Sequence, residues 1–529
     1  MVDHGAKKLL KGALVLTLAG LVSKVLSASY RIPLQNLTGD LGFYIYQQVY
    51  PILGTVIVLS LYGFPQAISK AASDLGDKQK GISIRNFAIP ILSLLFLICF
   101  SLFLFMYFNA EAIARWVGDP HLEMSYQTTS FTFLFIPFLS LFRGVLQGRG
   151  EMEPTAYSQI GEQLFRVFVI VCAALFVSFY GRDTYWIGQA AGLAQMIGLT
   201  IATLISGYFI IKRKPFGPTY FKTPWKYYIK IMITLGLVAS LNHMILLIMQ
   251  FADAFTLVPG LMEYGHSKIE AMEAKGVFDR GQPLIQLGSV LGSSFALALI
   301  PSVSKEKMKE NMTHFYDQVH GTLLVSFYLS LGAVVGLIAL FPEVNQLLYQ
   351  NDQGTKELQI LSLSILLCSL SITAASILQG FGYIKRTAGF VVIAFFIKWI
   401  TNQILVPYLG ITGSAAGTVI ALLTLFILVF VELKRKLRAL QVLKKINGKT
   451  VILANAAMIL FLGFIKFFFL RFIVTRSDLL IFVGIAVPIG ALIYILVLIR
   501  GRAFTKGELD MLPFASKFTH IHKERKTNE

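Results

Sequence analysis

The chain has 529 residues, of which 55% are hydrophobic and only 14% charged, with 43 Phe and 43 Gly. A soluble domain of this length carries roughly a quarter charged residues, so the composition excludes a water-soluble enzyme and reads as an all-α polytopic membrane protein. The formal net charge of +19 does not point to nucleic acid, because the basic residues alternate with apolar runs and topology accounts for them.

The apolar runs predict about 14 transmembrane helices: 9–29, 43–66, 86–108, 125–146, 160–180, 186–211, 228–251, 283–301, 321–342, 358–380, 388–406, 411–431, 450–473 and 479–499. The N-terminal "KKLLKGALVLTLAGLVSKVLSASY" imitates a signal peptide, but Lys24 breaks the would-be cleavage region. It is read as an uncleaved first helix. With the N-terminus inside, and with Lys11, Arg143, Lys230 and Arg471, each two or three residues from a span end, counted with the adjoining loops, 34 Lys and Arg fall on the cytoplasmic side and 9 on the other, leaving Lys24, Arg166, Lys398 and Lys466 deeper within spans. This asymmetry predicts both termini in the cytoplasm. The external segment 252–282 contains "GLMEYGHSKIEAMEAKG", whose middle is expected to form a short surface helix. The basic linkers 212–226 and 432–445 lie inside, the second as an amphipathic helix or a solvated connector.

An internal repeat organises these spans. "LQGRGEMEPTA" (146–156) returns as "LQGFGYIKRTA" (378–388), placing Arg166 on Lys398. "GQAAG" (188–192) pairs with "GSAAG" (413–417), and "PQAISK" (65–70) with "PSVSK" (301–305). A six-helix period keeps both copies in the same orientation, so the expected architecture is two parallel-repeat six-helix bundles, 1–215 and 216–435, followed by helices 13 and 14 and a basic tail in 436–529. Parallel repeats of this kind are a transporter signature.

Motifs for other chemistry are missing from the sequence. "NGKT" (447–450) lacks the first glycine of a phosphate loop, since Leu443 stands there. The eight His form no HExxH, and Cys99, Cys172 and Cys368 show no CxxC spacing, so no metal site and no cofactor are expected. The two GxxxG sequences read as close helix contacts.

Ionisable residues at membrane depth remain, each costing about 3 kcal/mol or more unless it meets a cavity or a partner. Glu162 and Arg166, one turn apart, are expected to form a structural polar pair. Lys466 reads as a side chain that snorkels. Lys24 on helix 1, Arg31 at its outer end and Arg280 at the start of helix 8 outnumber nearby carboxylates, which suits an anion such as phosphate. Asp279, beside Arg280, and Asp253, closing helix 7, complete the candidate substrate-binding set.

"RGVLQGRGEMEPTAYSQIGEQLFR" (143–166), "GFPQAISK" (63–70), "FDRGQPLIQLG" (278–288) and "ALIPSVSK" (298–305) resemble the polysaccharide-transport branch of the MOP exporter superfamily, most of all the group of stage V sporulation protein B and MurJ-type flippases. The resemblance covers about residues 5–500. It implies flipping of an undecaprenyl-pyrophosphate-linked saccharide, such as lipid II, to the outer leaflet of a bacterial plasma membrane. It also implies a central cationic cavity, matched by Lys24 and Arg31 in "SKVLSASYR" and Arg280 in "FDRG". Lys24 stands where the family has Arg. Helices 13 and 14 would form a groove for the lipid tail. The expected partners are the lipid-linked substrate, bilayer lipids and cell-envelope synthesis enzymes, with no nucleic acid, and the chain is expected to act as a monomer rather than an enzyme. Rival readings are a small-cation or drug antiporter of the same superfamily, a membrane-embedded glycosyltransferase, and an assembly scaffold.

Overall fold

The computed structural model describes residues 2–75, 81–218, 222–299, 312–441, 446–469 and 475–504. The chain is almost wholly helical, as the apolar runs require, because a backbone in hydrocarbon must satisfy its own hydrogen bonds. The helices are α1 (Val2–Ser29), α2 (Arg31–Val58), α3 (Phe64–Leu75), α4 (Ile89–Phe108), α5 (Ala110–Trp116), α6 (Glu123–Ser130), α7 (Ile136–Gly148), α8 (Glu153–Tyr180), α9 (Trp186–Arg213) and α10 (Trp225–Ile231). They continue as α11 (Ile245–Tyr264), α12 (Lys268–Asp279), α13 (Gly281–Leu299), α14 (Met312–Tyr349), α15 (Thr355–Gly380), α16 (Ile384–Leu409), α17 (Ile411–Lys436), α18 (Gly448–Phe469) and α19 (Arg476–Arg500).

Among the described residues, twelve helical stretches are long and apolar enough to cross a membrane. The first, Leu18–Leu75, is 58 residues long and holds the first two expected spans. The expected eighth span coincides with α13, so the stretches follow the order read from the sequence. Three details differ. Helix α11 runs on to Tyr264, past Pro259, so Asp253 lies inside a helix and does not close one; the apolar run "FTLVPGLM" extends the buried face. Asp279 ends α12, and Arg280 stands at its junction with α13. Helix α17 continues to Lys436 and gives way to a turn, so 437–441 form no amphipathic helix, and 442–445 lie outside the described residues. The repeat match at 301–305 and the basic tail from 505 lie outside them too.

The chain forms two compact units. The first comprises 1–283 and 384–417. Small residues set its close helix contacts: a methyl on Gly144 of α7 would come 2.5 Å from Ile68 of α3, and one on Gly192 of α9 3.0 Å from the Thr129 amide of α6. In the second GxxxG, a methyl on Gly417 would come 2.9 Å from Thr401 of α16. Both motifs therefore serve backbone approach. Irregular turns interrupt this unit's helices: a π-helix at Leu59–Gly63, a second at Met232–Val238, and a 3₁₀ segment at Ala239–His243. Two-residue strands at Ile82–Ser83 and Phe216–Gly217 pair in parallel, Ile82 opposite Phe216. Helix α12 begins with a capping box in which the Ser267 amide donates to Glu270 at 2.8 Å, holding that carboxyl below its ordinary pKa.

The second unit comprises 284–383 and 418–529. Helix α19 anchors on α14 through Tyr494, whose hydroxyl donates to the Tyr328 carbonyl at 2.8 Å. Lys466 of α18 does not snorkel. Its ammonium lies 2.9 Å from Glu343 and donates to the Ala339 carbonyl at 2.5 Å, because a buried carboxylate on α14 offers it a partner at depth.

The repeat is visible in the backbone. After α7, Gly150 (φ 77) donates to the Gln147 carbonyl at 2.8 Å and Glu151 to Leu146 at 3.0 Å. After α15, Gly382 (φ 86) donates to Gln379 at 2.8 Å and Tyr383 to Leu378 at 3.0 Å. The same glycine-dependent helix stop occurs in both copies. Gly150→Ala and Gly382→Ala should each cost about 1 kcal/mol or more. Gly389→Ala, helical with nothing within 4 Å of the added methyl, should be neutral or stabilising. Thermal unfolding of the three variants in detergent checks the contrast.

Candidate functional site

The candidate residues of the first unit lie on α1, α2, α8, α11, α12 and α16, with α2 packed against α8, α11 and α12, and α11 against α16. Gly39 (φ 70) breaks α2 just before Asp40. Arg280, fully buried, grips that carboxylate: Nε donates to Oδ1 at 3.0 Å, and Nη2 reaches Oδ1 at 2.5 Å and Oδ2 at 2.7 Å. Gln35 Nε2 adds a bond to Oδ1 at 2.9 Å. The contact is possible because Gly276 lets α12 lie on the backbone carbonyl of Asp40. Arg280 is thus neutralised within its own unit, which corrects the expected surplus of cations over carboxylates. Asp40 is 240 residues away in sequence, so no local pattern reveals it.

The two acidic candidates are likewise paired. Asp279 lies 2.6 Å from Lys275, one turn earlier on α12, and both are buried. Asp253 Oδ1 lies 2.7 Å from the Lys398 ammonium of α16 and accepts from Asn402 Nδ2 and Ser414 Oγ, each at 2.8 Å. Lys398 also donates to the Ser414 carbonyl at 2.8 Å. Lys398 is therefore enclosed by oxygens, the arrangement a buried ammonium needs.

Glu162 and Arg166 do not touch as a pair. Arg143, buried on α7, takes Glu162 at 3.0 Å and donates to Ser158 at 2.9 Å and the Ser60 carbonyl at 3.1 Å. Arg166 donates to Gln195 Oε1 at 2.7 Å and to Gln163. Gln195 Nε2 in turn donates to Glu162 Oε1 at 3.0 Å. The amide of Gln195 is the bridge, and the carboxylate's direct partner comes from another helix.

Arg31 differs from all of these. Its side chain is 0% exposed, and its guanidinium lies over the Tyr50 ring at 4.1 Å. Tyr30 and Tyr46, joined hydroxyl to hydroxyl, flank it. All three guanidinium nitrogens lack a hydrogen-bond partner. The Arg166 charge acts on the same three tyrosines, and its Nε is also unsatisfied. Lys24, on α1, is exposed and within electrostatic reach of His243. Burying donors of this kind is costly unless an acceptor meets them.

Sequence reading missed Asp40, Arg143, Lys275 and the tyrosine cluster. Lys275 and Asp279 are spaced for pairing on a helix, and Arg143 sits in the apolar run "FLSLFRGVL", where its burial was legible. Asp40 carries no such signal.

A chain of apolar helices with broken turns and buried ion pairs is built as a multi-pass membrane protein. A family model described as "Polysaccharide biosynthesis protein" matches residues 9–307. The chain is 36% identical over 526 residues to the uncharacterized membrane protein YabM of Bacillus subtilis (strain 168), covering 98% of this chain and 97% of that one. It is 25% identical to the lipid II flippase MurJ of the same organism, covering 81% and 83%. Its fold is that of the solved lipid II flippase MurJ in an inward closed conformation, with TM-score 0.67, 14% identity, and coverage of 92% of this chain and 98% of that one. The protein belongs to the polysaccharide biosynthesis protein family, and its resemblance to the MOP exporter superfamily holds.

Arg143→Leu should lower folding stability by about 3–5 kcal/mol, because it strands the Glu162 charge. Arg166→Leu should cost less, since only amide partners lose a donor. Monodisperse elution of the fluorescently tagged variants measures both, and the double change Arg143→Leu/Glu162→Leu should recover much of the loss.

Proposed function

We propose that this protein is a flippase that moves an undecaprenyl-pyrophosphate-linked saccharide to the outer leaflet of the bacterial plasma membrane by alternating access. The observation that carries the reading is Arg31: a fully buried guanidinium with three unsatisfied nitrogens in a nest of tyrosines. Phosphate oxygens are the acceptors such a fork fits best. Lys24 lies two turns away on the same helical face, and Arg166 supplies a second cation beside the tyrosines. Family membership and the flippase among the relatives support the same substrate class.

Arg280, Asp253 and Asp279 enter this scheme through their partners. Arg280 can meet the anion only by leaving Asp40, which makes that pair an exchangeable contact rather than an open site. The cation-antiporter reading loses ground for a parallel reason: Asp40, Asp253, Asp279 and Glu162 are each held by a cation of the protein. In this reading 1–215 and 216–435 are the two copies of the repeat, moving about the substrate, with helices 13 and 14 serving the lipid tail. Both termini are cytoplasmic, the chain acts as a monomer, and cell-envelope synthesis enzymes use its product.

In liposomes carrying lipid-linked substrate, Arg31→Ala should slow flipping by about a hundredfold or more with protein abundance near wild type, and Lys24→Arg should be tolerated. Normal flipping by Arg31→Ala would refute the anion site. Topology has its own test: a single cysteine at Lys268 should react with an impermeant thiol reagent in intact cells, and one at Lys436 should not.

A further inference from the structure

Along α1 and onto the first residue of α2, Gly20, Lys24, Ser27 and Arg31 recur at intervals of four, three and four residues. The helix is nearly continuous here: Tyr30 between α1 and α2 keeps helical torsions, and Leu34 donates to its carbonyl at 3.0 Å. The four positions therefore form one stripe. At 1.5 Å per residue, Lys24 lies about 10 Å and Gly20 about 16 Å from Arg31 along the axis. The stripe thus passes from a buried guanidinium, through an accessible ammonium, to a glycine.

What surrounds the glycine is of a different chemistry. A methyl placed on Gly20 would lie 3.9 Å from Gln159 Nε2 and 3.9 Å from the Tyr62 hydroxyl. Tyr62 stacks on His243 at 4.8 Å between centroids with an interplanar angle of 13°. Neither the Gln159 amide nor the Tyr62 hydroxyl has a hydrogen-bond partner among the described residues, although Tyr62 lies within electrostatic reach of Arg143. The Oδ1 of Asn242, next to His243, is buried and unsatisfied as well. Tyr62 and His243 both come from irregular turns, the π-helix at Leu59–Gly63 and the 3₁₀ segment at Ala239–His243. Such breaks at membrane depth persist where they serve a site or line a cavity.

We infer that Tyr62, His243 and Gln159, gathered around Gly20, form a saccharide subsite that receives the first sugar ring of the lipid-linked substrate while Arg31 and Lys24 hold its phosphates. The inference rests on the flippase reading above. A sugar offers a C–H face suited to an aromatic ring and hydroxyls that both donate and accept. A free amide and a free phenol answer both roles. The order agrees: the ring follows the diphosphate along the stripe that runs from Arg31 through Lys24 to Gly20. The subsite carries no carboxylate, so it recognises a neutral ring rather than a cation.

The test compares two probes on the purified full-length chain in detergent: undecaprenyl pyrophosphate, and the same lipid bearing one N-acetylhexosamine. Wild type should bind the glycosylated lipid about tenfold more tightly. Tyr62→Leu and Gln159→Leu should each bring that ratio towards one while leaving affinity for the bare pyrophosphate unchanged, which also certifies their folding. Tyr62→Phe, which keeps the ring, should retain most of the preference. Arg31→Ala should weaken both lipids in proportion and preserve the ratio. A wild-type ratio of one, or Tyr62→Leu and Gln159→Leu variants that keep the full ratio or weaken both lipids alike, would overturn the saccharide subsite. Should Arg31→Ala leave both affinities intact, the anion reading fails, and the ratio still decides the subsite.

Discussion

The grip of Arg280 on Asp40 is the contact around which the first unit is arranged. It requires the break at Gly39, which presents the carboxylate, and the bare backbone of Gly276, which lets α12 come close enough to deliver the guanidinium. Two further pairs lie in the same unit: Lys275 meets Asp279 one turn on along α12, and α11 brings Asp253 to Lys398 of α16. Each pair removes a cost of several kcal/mol that an isolated ion would incur away from water. The unit is therefore held by a few directional bonds set in a large, weakly specific apolar surface.

Against that background of neutralised ions, the exceptions acquire meaning. Arg31 has aromatic neighbours where the other arginines have oxygen acceptors, and Arg166 is met by amides. A protein that can pair Arg143, Arg280, Lys275 and Lys398 with carboxylates has no evident need to leave another guanidinium unmet. The cationic character inferred from composition thus survives, but it is narrower than the residue list suggests, and it is centred on the junction of α1 and α2.

The sequence made the helices legible because length and hydropathy decide them, and the repeat legible because "LQGRG" and "LQGFG" encode the same backbone turn. Lys24, Arg31 and Arg280 stood out as costly residues in apolar surroundings. Their partners did not. Asp40 lies in the polar "LTGD", and Arg143, though legible as a cation in an apolar run, gives no sign of which carboxylate it meets. The pairing of Glu162 with Arg143 rather than Arg166 is decided by how α7 crosses α8, which spacing along one helix cannot register. Helix boundaries near 252–282 shifted for a similar reason: tertiary burial of Asp253 allows α11 to run through residues that look like a loop end.

The caged ammonium of Lys398 also has an electrical meaning. Moving one elementary charge through the whole membrane field involves about 2.3 kcal/mol per 100 mV. A carboxylate and an ammonium 2.7 Å apart within the same compact unit travel together as a short dipole. When that unit shifts as one body, the pair carries almost no net charge, and the transmembrane voltage performs little work on it. The same holds for Lys275 with Asp279, one turn apart on α12. Voltage can act appreciably on such a protein only through the groups it leaves uncompensated, so the pairing pattern that stabilises the fold also determines which residues are able to sense the field.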